Sequence, residues 1–399
     1  MRQSGFPGNV ILGFVCAAAF GMILSAPAAA QAMVHPGVVV SGPQIAFVRD
    51  QVKAKREPFY SEYEKAVASE YAAKNYEPKG PPAGGVIECG SHSHPDNGCH
   101  AQDDDATAAY LQALLWNLSG DKRYAENAIR ILNAYGRGLK AYTNTNQKLQ
   151  AAWSGELLPR AAELMRYSNA GWKAEDVAAF SKMLTQVILP EIKDGSPENG
   201  NWELSMIDAM MGIAVFTNDR PLLNHAEKMW KERVPSYFYD FELDGPHPGP
   251  APRQQAKVNW FGTTDLNATV DGIAQETCRD LEHTTYSIAA ATYAAETAHI
   301  QGDKLFEAEQ NRLVATLEFH AHLLLKKDPV PPLVCGGEVK LSRGYTFAVG
   351  YNEFHNRLGV AMPMTAAWLQ QVEQKPEQVD PHMMVFEPLT HAADAAPIK

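Results

Sequence analysis

The side chains best suited to proton chemistry lie in one stretch of the sequence, Gln275 to Tyr286. If this stretch is helical, its ionisable and phenolic side chains share an arc of about 120°, because each residue advances about 100° around the axis. A carboxylate, a guanidinium, an imidazole and a phenol side by side are the groups needed to move a proton next to an anion. The side chains in this arc are Glu276, Arg279, Asp280, His283 and Tyr286.

The residues that follow indicate that this arc is not an ordinary solvated face. Ser287 to Ala295 are small and apolar almost all round, which is typical of a buried helix. Charged side chains at the entrance to such a helix must be paired or used. Two interpretations of the stretch therefore stay open, a catalytic cleft and a structural ion-pair network on a core helix.

Three short junctions predict how the chain positions this stretch. At each one an apolar helix ends at Gly or Asn, and an Asp then starts an amphipathic helix. Such helix pairs, spread over most of the chain, predict an all-α fold of stacked helical hairpins that curve into a superhelix or close into a toroid. The junctions are Gly120-Asp121, Asn218-Asp219 and Gly302-Asp303.

Other local signals are fewer. The run Asp103-Asp104-Asp105 is typical of a helix start, since acidic side chains favour the first turn. Residues 336–349 alternate weakly and predict at most a small β-hairpin. The residues from 373 to 399 contain prolines and lack periodicity, which predicts a loosely ordered tail. We therefore expect one folded domain over residues 31–372.

Length and composition limit the function classes. The chain has 399 residues, 45% of them hydrophobic, so it can bury a large core. Its formal charge of −11 argues against nucleic acid as a partner. The same charge does not exclude an acidic polysaccharide, because a cleft can be locally basic on an acidic protein.

The N-terminus has the layout of a secretory signal peptide, predicted to cover residues 1–30. Arg2 precedes an apolar run from Val10 to Leu24, and an Ala-x-Ala cleavage site follows. Cleavage after Ala30 or Ala32 would release a periplasmic or secreted protein. No stable membrane association is expected after cleavage, since nothing later in the sequence resembles a transmembrane segment.

Export to an oxidising compartment favours disulfide bonds among the cysteines that follow residue 30. Cys89 and Cys99 flank a short polar loop, so we expect them to form a local disulfide. Cys278 and Cys335 could be buried thiols or a long-range bridge. The loop also carries His92, His94 and His100, whose spacing could chelate a metal, although a structural loop is the preferred interpretation. No metal or other cofactor is expected.

Two further polar clusters lie at predicted element junctions. Asn201 and Trp202 enter an apolar helix and could present an amide and an aromatic platform to a sugar, although an Asn at a helix start is often only a cap. The second cluster could instead be the polar rim of a hairpin. It runs from Tyr351 to Arg357 and includes Asn352 and His355.

Together, Asn201-Trp202, the stretch 275–283 and the stretch 351–359 resemble the alginate lyase family of polysaccharide lyases, over about residues 40–370. The resemblance implies an incomplete (α/α) toroid, metal-independent β-elimination and catalytic Asn, His, Arg and Tyr residues. Trp202 stands where this family carries a His directly after the catalytic Asn, so His283 or His355 must supply the imidazole. The catalytic set implied is Asn201, Arg279, His283 and Tyr286.

The expected reaction is β-elimination in a 4-O-linked uronate polysaccharide, namely alginate, polymannuronate or glucuronan. Asn201, with Arg279 or His283, would hold the uronate carboxylate while Tyr286 moves the proton. The alternatives are a non-catalytic protein that binds acidic glycans and a glycoside hydrolase on the same architecture. Residues expected to contact or orient the substrate are Trp202, Glu276, Tyr351, Asn352, His355 and Arg357.

Overall fold

A computed structural model describes residues 32–245, 270–326, 328–332, 334–341, 347–374 and 386–392, with five residues near the N-terminus (1–3, 5 and 8). The chain divides into two compact units, Met1–Gln31 and Ala32–Lys399. The signal peptide expected at residues 1–30 lies almost entirely outside the described residues.

The second unit is built mainly from helices. Its strands are short and form a two-stranded ribbon and a three-stranded sheet of order β4-β3-β5. The strands are β1 (Gly37–Val38), β2 (Val40–Ser41), β3 (Val86–Cys89), β4 (Asp96–Asn97) and β5 (Ala141–Thr143). The helices are α1 (Gly42–Lys53), α2 (Phe59–Ala68), α3 (Cys99–Ser119), α4 (Lys122–Gly138), α5 (Gln147–Arg166), α6 (Ala174–Met183), α7 (Leu189–Ile192), α8 (Gly200–Thr217), α9 (Arg220–Tyr237), α10 (Phe241–Asp244), α11 (Leu281–Ile300), α12 (Leu305–Ala308), α13 (Gln310–Leu325), α14 (Ala348–Tyr351), α15 (Pro363–Gln374) and α16 (Glu387–Thr390).

Helices α3 and α5 lie side by side and run in the same direction. Near their starts, the Gln150 side chain donates to Asp103 at 2.7 Å. At their ends, the Trp116 indole donates to Ser168, just beyond α5, at 2.9 Å. Both helices are buried on nearly all faces, as their small and apolar residues require.

Helix α8 continues this parallel series. Arg160 of α5 forms an ion pair with Asp208 in the middle of α8. Further along, the Arg166 guanidinium donates to the carbonyl of Phe216 at 2.9 Å. Helix α11 packs against α8 in its turn, with the residues that precede α11 beside the start of α8. Four inner helices, α3, α5, α8 and α11, therefore begin at the same end of the domain.

The outer helices return the chain to that end. Arg233, near the end of α9, pairs with Glu203, near the start of α8, and both side chains are fully buried. Helix α4 packs on α3 and helix α6 packs on α4 in the same alternating manner. This arrangement of parallel inner helices and returning outer helices is an incomplete (α/α) toroid, so the all-α fold class predicted from the sequence is confirmed.

Two of the three predicted junctions are present as described. Gly120 and Asn218 take the left-handed conformation after α3 and α8, and the side chains of Asp121 and Asp219 cap the helices that follow. The third differs. Asp303 pairs with Arg220 at 2.9 Å instead of capping a helix, and the residues that follow form two helices, α12 and α13.

The acidic run 103–105 does not start a helix, because α3 already begins at Cys99. Asp105 is fully buried and accepts hydrogen bonds from the phenols of Tyr76 and Tyr135. These hydrogen bonds compensate the buried Asp105 carboxylate for its loss of contact with water. A carboxylate that caps a helix at the surface would remain solvated instead.

Two further expectations concern residues 336–349 and the tail. The described part of 336–349 contains no strand, and residues 348–351 are helical. After α15 ends at Gln374, residues 375–385 and 393–399 of the expected tail lie outside the described residues, and the segment 386–392 packs into the domain. There Leu389 is fully buried and the Glu387 carboxylate accepts from the backbone of Ala348 at 2.9 Å.

The residues before α1 cover the opposite end of the inner helices. The backbone amide of Gly37 donates to Glu163, near the end of α5, at 3.1 Å. Val34 is held by Gln301, which follows α11, at 2.8 Å. This end of the toroid is thus closed by the chain itself.

Among the residues described, no helix combines the length and apolar character needed to cross a bilayer.

Candidate active site

The stretch that carries the most ionisable side chains is helical only in its second half. Helix α11 begins at Leu281, and Asp280 is its N-cap, with its carboxylate accepting from the backbone amide of His283 at 2.9 Å. Residues 275–279 form turns before the helix. The single polar arc expected for a continuous helix is therefore wrong, because a capping Asp starts the helix late.

The turns nevertheless bring the polar side chains together around Glu276. One oxygen of this fully buried carboxylate accepts from Asn201 at 2.9 Å and from Arg279 at 2.6 Å. The other oxygen accepts from the phenol of Tyr237 at 2.8 Å. Burial and the charge of Glu276 hold the pKa of Tyr237 well above its ordinary value, so this phenol stays a donor.

Asn201 is placed by the way α8 begins. The backbone amide of Gly200 donates to the side-chain oxygen of Gln275 at 2.9 Å, and Gln275 is also bound through its backbone to Tyr237 at 2.8 Å. Asn201 follows directly, buried and facing Glu276. Trp202, the next residue, is half-buried at the same end of the helix.

His283 forms a pair with Asp280 in the first turn of α11. Its Nδ1 lies 2.7 Å from Asp280 Oδ1, an arrangement that favours the proton on Nδ1 and leaves Nε2 as an acceptor. Burial alone would raise the pKa of Asp280, but the hydrogen bonds from His283 lower it, so the carboxylate stays ionised. The side chains of His283 and Arg279 are 34% and 28% exposed. They are the accessible members of the cluster.

A long-range disulfide fixes the same turns. Cys278 is bonded to Cys335, 57 residues later. Next to it, the backbone amide of Leu281 donates to the carbonyl of Lys340 at 3.0 Å. The sequence left open whether these two cysteines are buried thiols or form a long-range bridge, and the structure shows the bridge.

Tyr286 lies one turn further along α11 than His283 and is 7% exposed. Its hydroxyl donates to the Glu156 carboxylate on α5 at 2.9 Å and contacts the Ser205 hydroxyl on α8. Ser205 is itself one turn beyond Asn201 on α8. Asn201, Arg279, His283 and Tyr286 thus belong to one contiguous polar region, with Tyr286 at its inner side.

The cluster 351–357 lies elsewhere. Arg357 pairs with Glu296 and Glu353, both at distances below 3 Å. Glu296 stands 13 residues after His283 on α11, which places this ion pair about 20 Å along the helix from His283. The charge of Arg357 is thus used inside the fold and away from Asn201, and its expected contact with a neighbouring sugar stays a prediction.

The other members of that cluster share its position. Tyr351 stacks on His355 with ring centroids 4.7 Å apart. Asn352 is buried and accepts from Asn356 at 3.0 Å. Of the two candidate imidazoles, only His283 lies with Asn201.

In the loop before α3, Cys89 and Cys99 form a disulfide with their Cα atoms 5.9 Å apart. His100 contacts the carboxylate of Asp96, an arrangement that supports the start of α3. The loop lies at the end of the domain where the inner helices begin.

Several side chains of the site were not found from the sequence. Tyr237 and Glu156 reach it from elements distant in sequence, so no local pattern indicated them. Ser205 did leave a signal, since it follows Asn201 by four residues and is polar in an otherwise apolar helix.

The arrangement has the parts needed to act on an anion. An amide and a guanidinium, both bound to the Glu276 carboxylate, can hold a negatively charged group at the surface of the cluster. A phenol and an imidazole next to them can accept and return a proton.

Known proteins similar to this chain are alginate lyases. A family model described as "Alginate lyase" matches residues 51–330. No curated protein matches by sequence. Solved structures match over almost their whole length at low identity, so they show the fold.

Three of these structures illustrate the likeness. Alginate lyase A1-III from Sphingomonas species A1 gives a TM-score of 0.62 at 14% identity, covering 90% of this chain and 97% of that chain. A variant of A1-III complexed with a tetrasaccharide gives 0.61 at 14% identity, covering 89% and 94%. An alginate lyase from Bacteroides ovatus gives 0.55 at 15% identity, covering 88% and 99%.

Proposed function

The chain belongs to the alginate lyase family and is a polysaccharide lyase, and on that premise we propose that it is an exported enzyme that cleaves 4-O-linked poly-uronate by β-elimination. Its substrate is alginate, polymannuronate or glucuronan, and each cut leaves a 4,5-unsaturated uronate end. The observation that carries the proposal is the placement of Asn201 and Arg279 on Glu276, directly beside the Asp280–His283 pair.

Holding the uronate carboxylate is the first requirement of this reaction. The proton on C5 is weakly acidic until the neighbouring carboxylate is neutralised, because its charge opposes the developing enolate. Asn201 and Arg279 supply hydrogen bonds that strengthen as that charge develops. Glu276 and Asp280 keep these donors in place, and Trp202 is positioned to stack on a neighbouring sugar.

Moving the proton is the second requirement. We assign it to the phenol of Tyr286, which removes the C5 proton and returns a proton to the departing O4. His283 is the imidazole of the site, since His355 lies at the other end of α11. Its Nδ1 is held by Asp280, and the Arg279 Nε lies 3.7 Å from the other oxygen of the same carboxylate.

The two alternatives have less support. A glycoside hydrolase would need Glu276 as one of two carboxyl groups that face each other across the sugar. Both oxygens of Glu276 are buried and accept hydrogen bonds from Asn201, Arg279 and Tyr237. A binding protein would not need the oriented Asp280–His283 pair.

Export is supported by cysteine usage. The four cysteines after residue 30 form two disulfides, Cys89–Cys99 and Cys278–Cys335, which is typical of proteins in oxidising compartments. Export is tested by subcellular fractionation of cells that express the full chain, with mass spectrometry of the N-terminus of the mature protein. A mature protein that still carries residues 1–30 would contradict the proposed export.

The enzyme assay incubates the purified protein with polymannuronate, polyguluronate or glucuronan. It records the ultraviolet absorbance of the unsaturated end group that elimination creates. We expect absorbance to grow with one of them. Reducing ends without the chromophore would instead indicate hydrolysis, and saturable binding without either would indicate a binding protein.

Variants test the assigned residues. Tyr286→Phe keeps the ring and removes only the oxygen, so kcat should fall by roughly 10² with the fold intact. His283→Ala should lower kcat/KM strongly, whereas His355→Ala should not, because His355 lies far from Asn201. A large loss in His355→Ala with normal rates in His283→Ala would reverse the assignment.

A further inference from the structure

Behind Tyr286 lies a buried polar group that the reaction as described does not use. Glu156 of α5 is almost fully buried and accepts the hydrogen bond of the Tyr286 hydroxyl at 2.9 Å. The Ser205 hydroxyl contacts the same phenol oxygen. A buried carboxyl group with no ion-pair partner of its own is costly, so its presence calls for an explanation.

The cation nearest to Glu156 is already engaged. Arg160, one turn along α5, forms an ion pair with Asp208 of α8 and lies over the ring of Tyr293 at 4.4 Å. Two carboxyl groups therefore share one guanidinium in a region closed to water. The charge balance favours a proton on one of them, and Asp208, which contacts Arg160 directly, is the one better held as an anion.

The direction of the pKa shift of Glu156 agrees with this balance of two carboxyl groups against one guanidinium. Burial, and then the charge of Asp208, raise the pKa of Glu156 to about 8, against the opposing effects of Arg160, Ser205 and Tyr286. Among the described residues, Tyr110 and Tyr293 are further titratable groups that interact with Arg160, and Glu387 accepts the hydrogen bond of the Tyr293 phenol.

From this geometry we propose that Glu156 is the internal proton acceptor of the site, exchanging a proton with the phenol of Tyr286 while Ser205 holds the phenol oxygen in line. The inference rests on the proposed elimination reaction. It assigns Glu156 and Ser205 as positioning residues that act through Tyr286.

The proposed relay conserves protons and electrons. With Glu156 ionised, the phenol oxygen of Tyr286 takes the C5 proton of the uronate as the phenol's own proton passes to Glu156. The electron pair of the broken C–H bond forms the C4–C5 double bond, and the C4–O4 bond breaks. Tyr286 then gives its proton to O4 and recovers the one held by Glu156, so the site returns to its starting state.

This relay makes a kinetic prediction with a definite sign. Because only ionised Glu156 can accept, kcat/KM should rise as pH rises toward about 8 and then level off. Glu156→Gln keeps the size and the acceptor oxygen but cannot take a proton. We expect kcat to fall by roughly 10², KM to change little, and the rising limb of the pH profile to disappear.

A matched control is available on the same helix. Glu163 of α5 is also fully buried, but its partners are His35 and Gly37 at the opposite end of the domain. Glu163→Gln should retain the wild-type pH profile, whatever its stability. If Glu156→Gln does not fold, Ser205→Ala replaces it and should lower kcat with a smaller effect.

A measurement without substrate separates this inference from the proposed function. Infrared difference spectra should show a carboxylic acid C=O band that titrates near neutral to alkaline pH, is absent in Glu156→Gln, shifts in Tyr286→Phe and persists in Glu163→Gln. Absence of that band in the wild type would overturn the proposal.

The kinetic outcomes also distinguish failure of the Glu156 relay from failure of the proposed function. Elimination by the wild type together with an unchanged pH profile in Glu156→Gln would overturn the relay, since a purely structural Glu156 would leave the profile in place. Presence of the infrared band without elimination on any poly-uronate would overturn the proposed function and leave the Glu156–Tyr286 proton pair supported.

Discussion

The backbone amide of Gly200 donates to the side-chain oxygen of Gln275 at 2.9 Å, which joins the first residue of α8 to the turns before α11. These two elements are separated by 75 residues in sequence. Through this contact the amide of Asn201 and the carboxylate of Glu276 come into register. The site therefore depends on how closely the start of α8 approaches its neighbours.

Gly200→Ala tests that approach. An added Cβ would lie 2.0 Å from Tyr237 Cδ2 and 3.1 Å from Gln275 Oε1, so the start of α8 must move. We expect lower Tm and a loss of activity. Gly42→Ala is the matched control, because Gly42 also begins a helix and its Cβ would meet nothing closer than 3.6 Å. Equal behaviour of the two variants would contradict the prediction.

Asn201→Ala removes the amide that faces Glu276 and, in the proposed reaction, holds the uronate carboxylate. Transition-state stabilisation should fall by about 3 kcal/mol, the usual value for one such donor. Steady-state measurement of kcat/KM on the active poly-uronate checks it, with circular dichroism to confirm the fold. A kcat/KM near that of the wild type would show that the amide is only structural.

The disulfide Cys278–Cys335 should matter for rate as well as for stability. Replacing both cysteines by Ser frees the turns that hold Glu276 and Arg279, and a small shift of these two side chains should lower kcat about tenfold or more. Removing this bridge, which closes 57 residues, should cost about 4 kcal/mol of folding free energy in the chain-entropy model.

The matched control is the double Ser variant of Cys89 and Cys99. That bridge closes 10 residues, so its loss should cost about 3 kcal/mol by the same model, with little change in kcat. Similar rate losses in both double variants would mean that the effect on kcat comes from general destabilisation.

Glu296 provides a test of stability against pH. Burial alone would raise its pKa, but the charge of Arg357, together with His391, lowers it to about 2. A depressed folded-state pKa contributes stability that is present above the ordinary value of 4.5 and is lost as pH falls through about 2. The expected loss is on the order of 3 kcal/mol.

Denaturant unfolding at several pH values measures that loss. Glu296→Gln should be less stable than the wild type at neutral pH, because Arg357 keeps only Glu353 as an anionic partner. Its stability should depend less on pH in the acid range. Parallel curves for the two proteins would show that Glu296 is not the group that titrates.

The sequence allowed the helical architecture to be predicted because its signals are local. Gly120 and Asp121, or Asn218 and Asp219, end one helix and start the next through their own conformations and hydrogen bonds. The position of Asp280 was misread because a capping Asp and a helical Asp look alike until the turn before them is known.

The roles of more distant residues could not be read locally. Arg357 looks available in sequence, but it is paired with Glu296, 61 residues away, and this contact depends on the tertiary fold. For the same reason Glu156 gave no sign that it would meet Tyr286, which is 130 residues away. Local patterns indicated the candidates, and long-range packing decided which of them meet.

The common direction of α3, α5, α8 and α11 has an electrostatic consequence. Each helix carries roughly half an elementary positive charge at its N-terminus, so four starts at one end supply about two charges before the acidic side chains there are counted. The formal charge of −11 does not include this contribution. A polyanion that the protein as a whole repels would thus meet a favourable local potential at this one end, and added salt should weaken both effects.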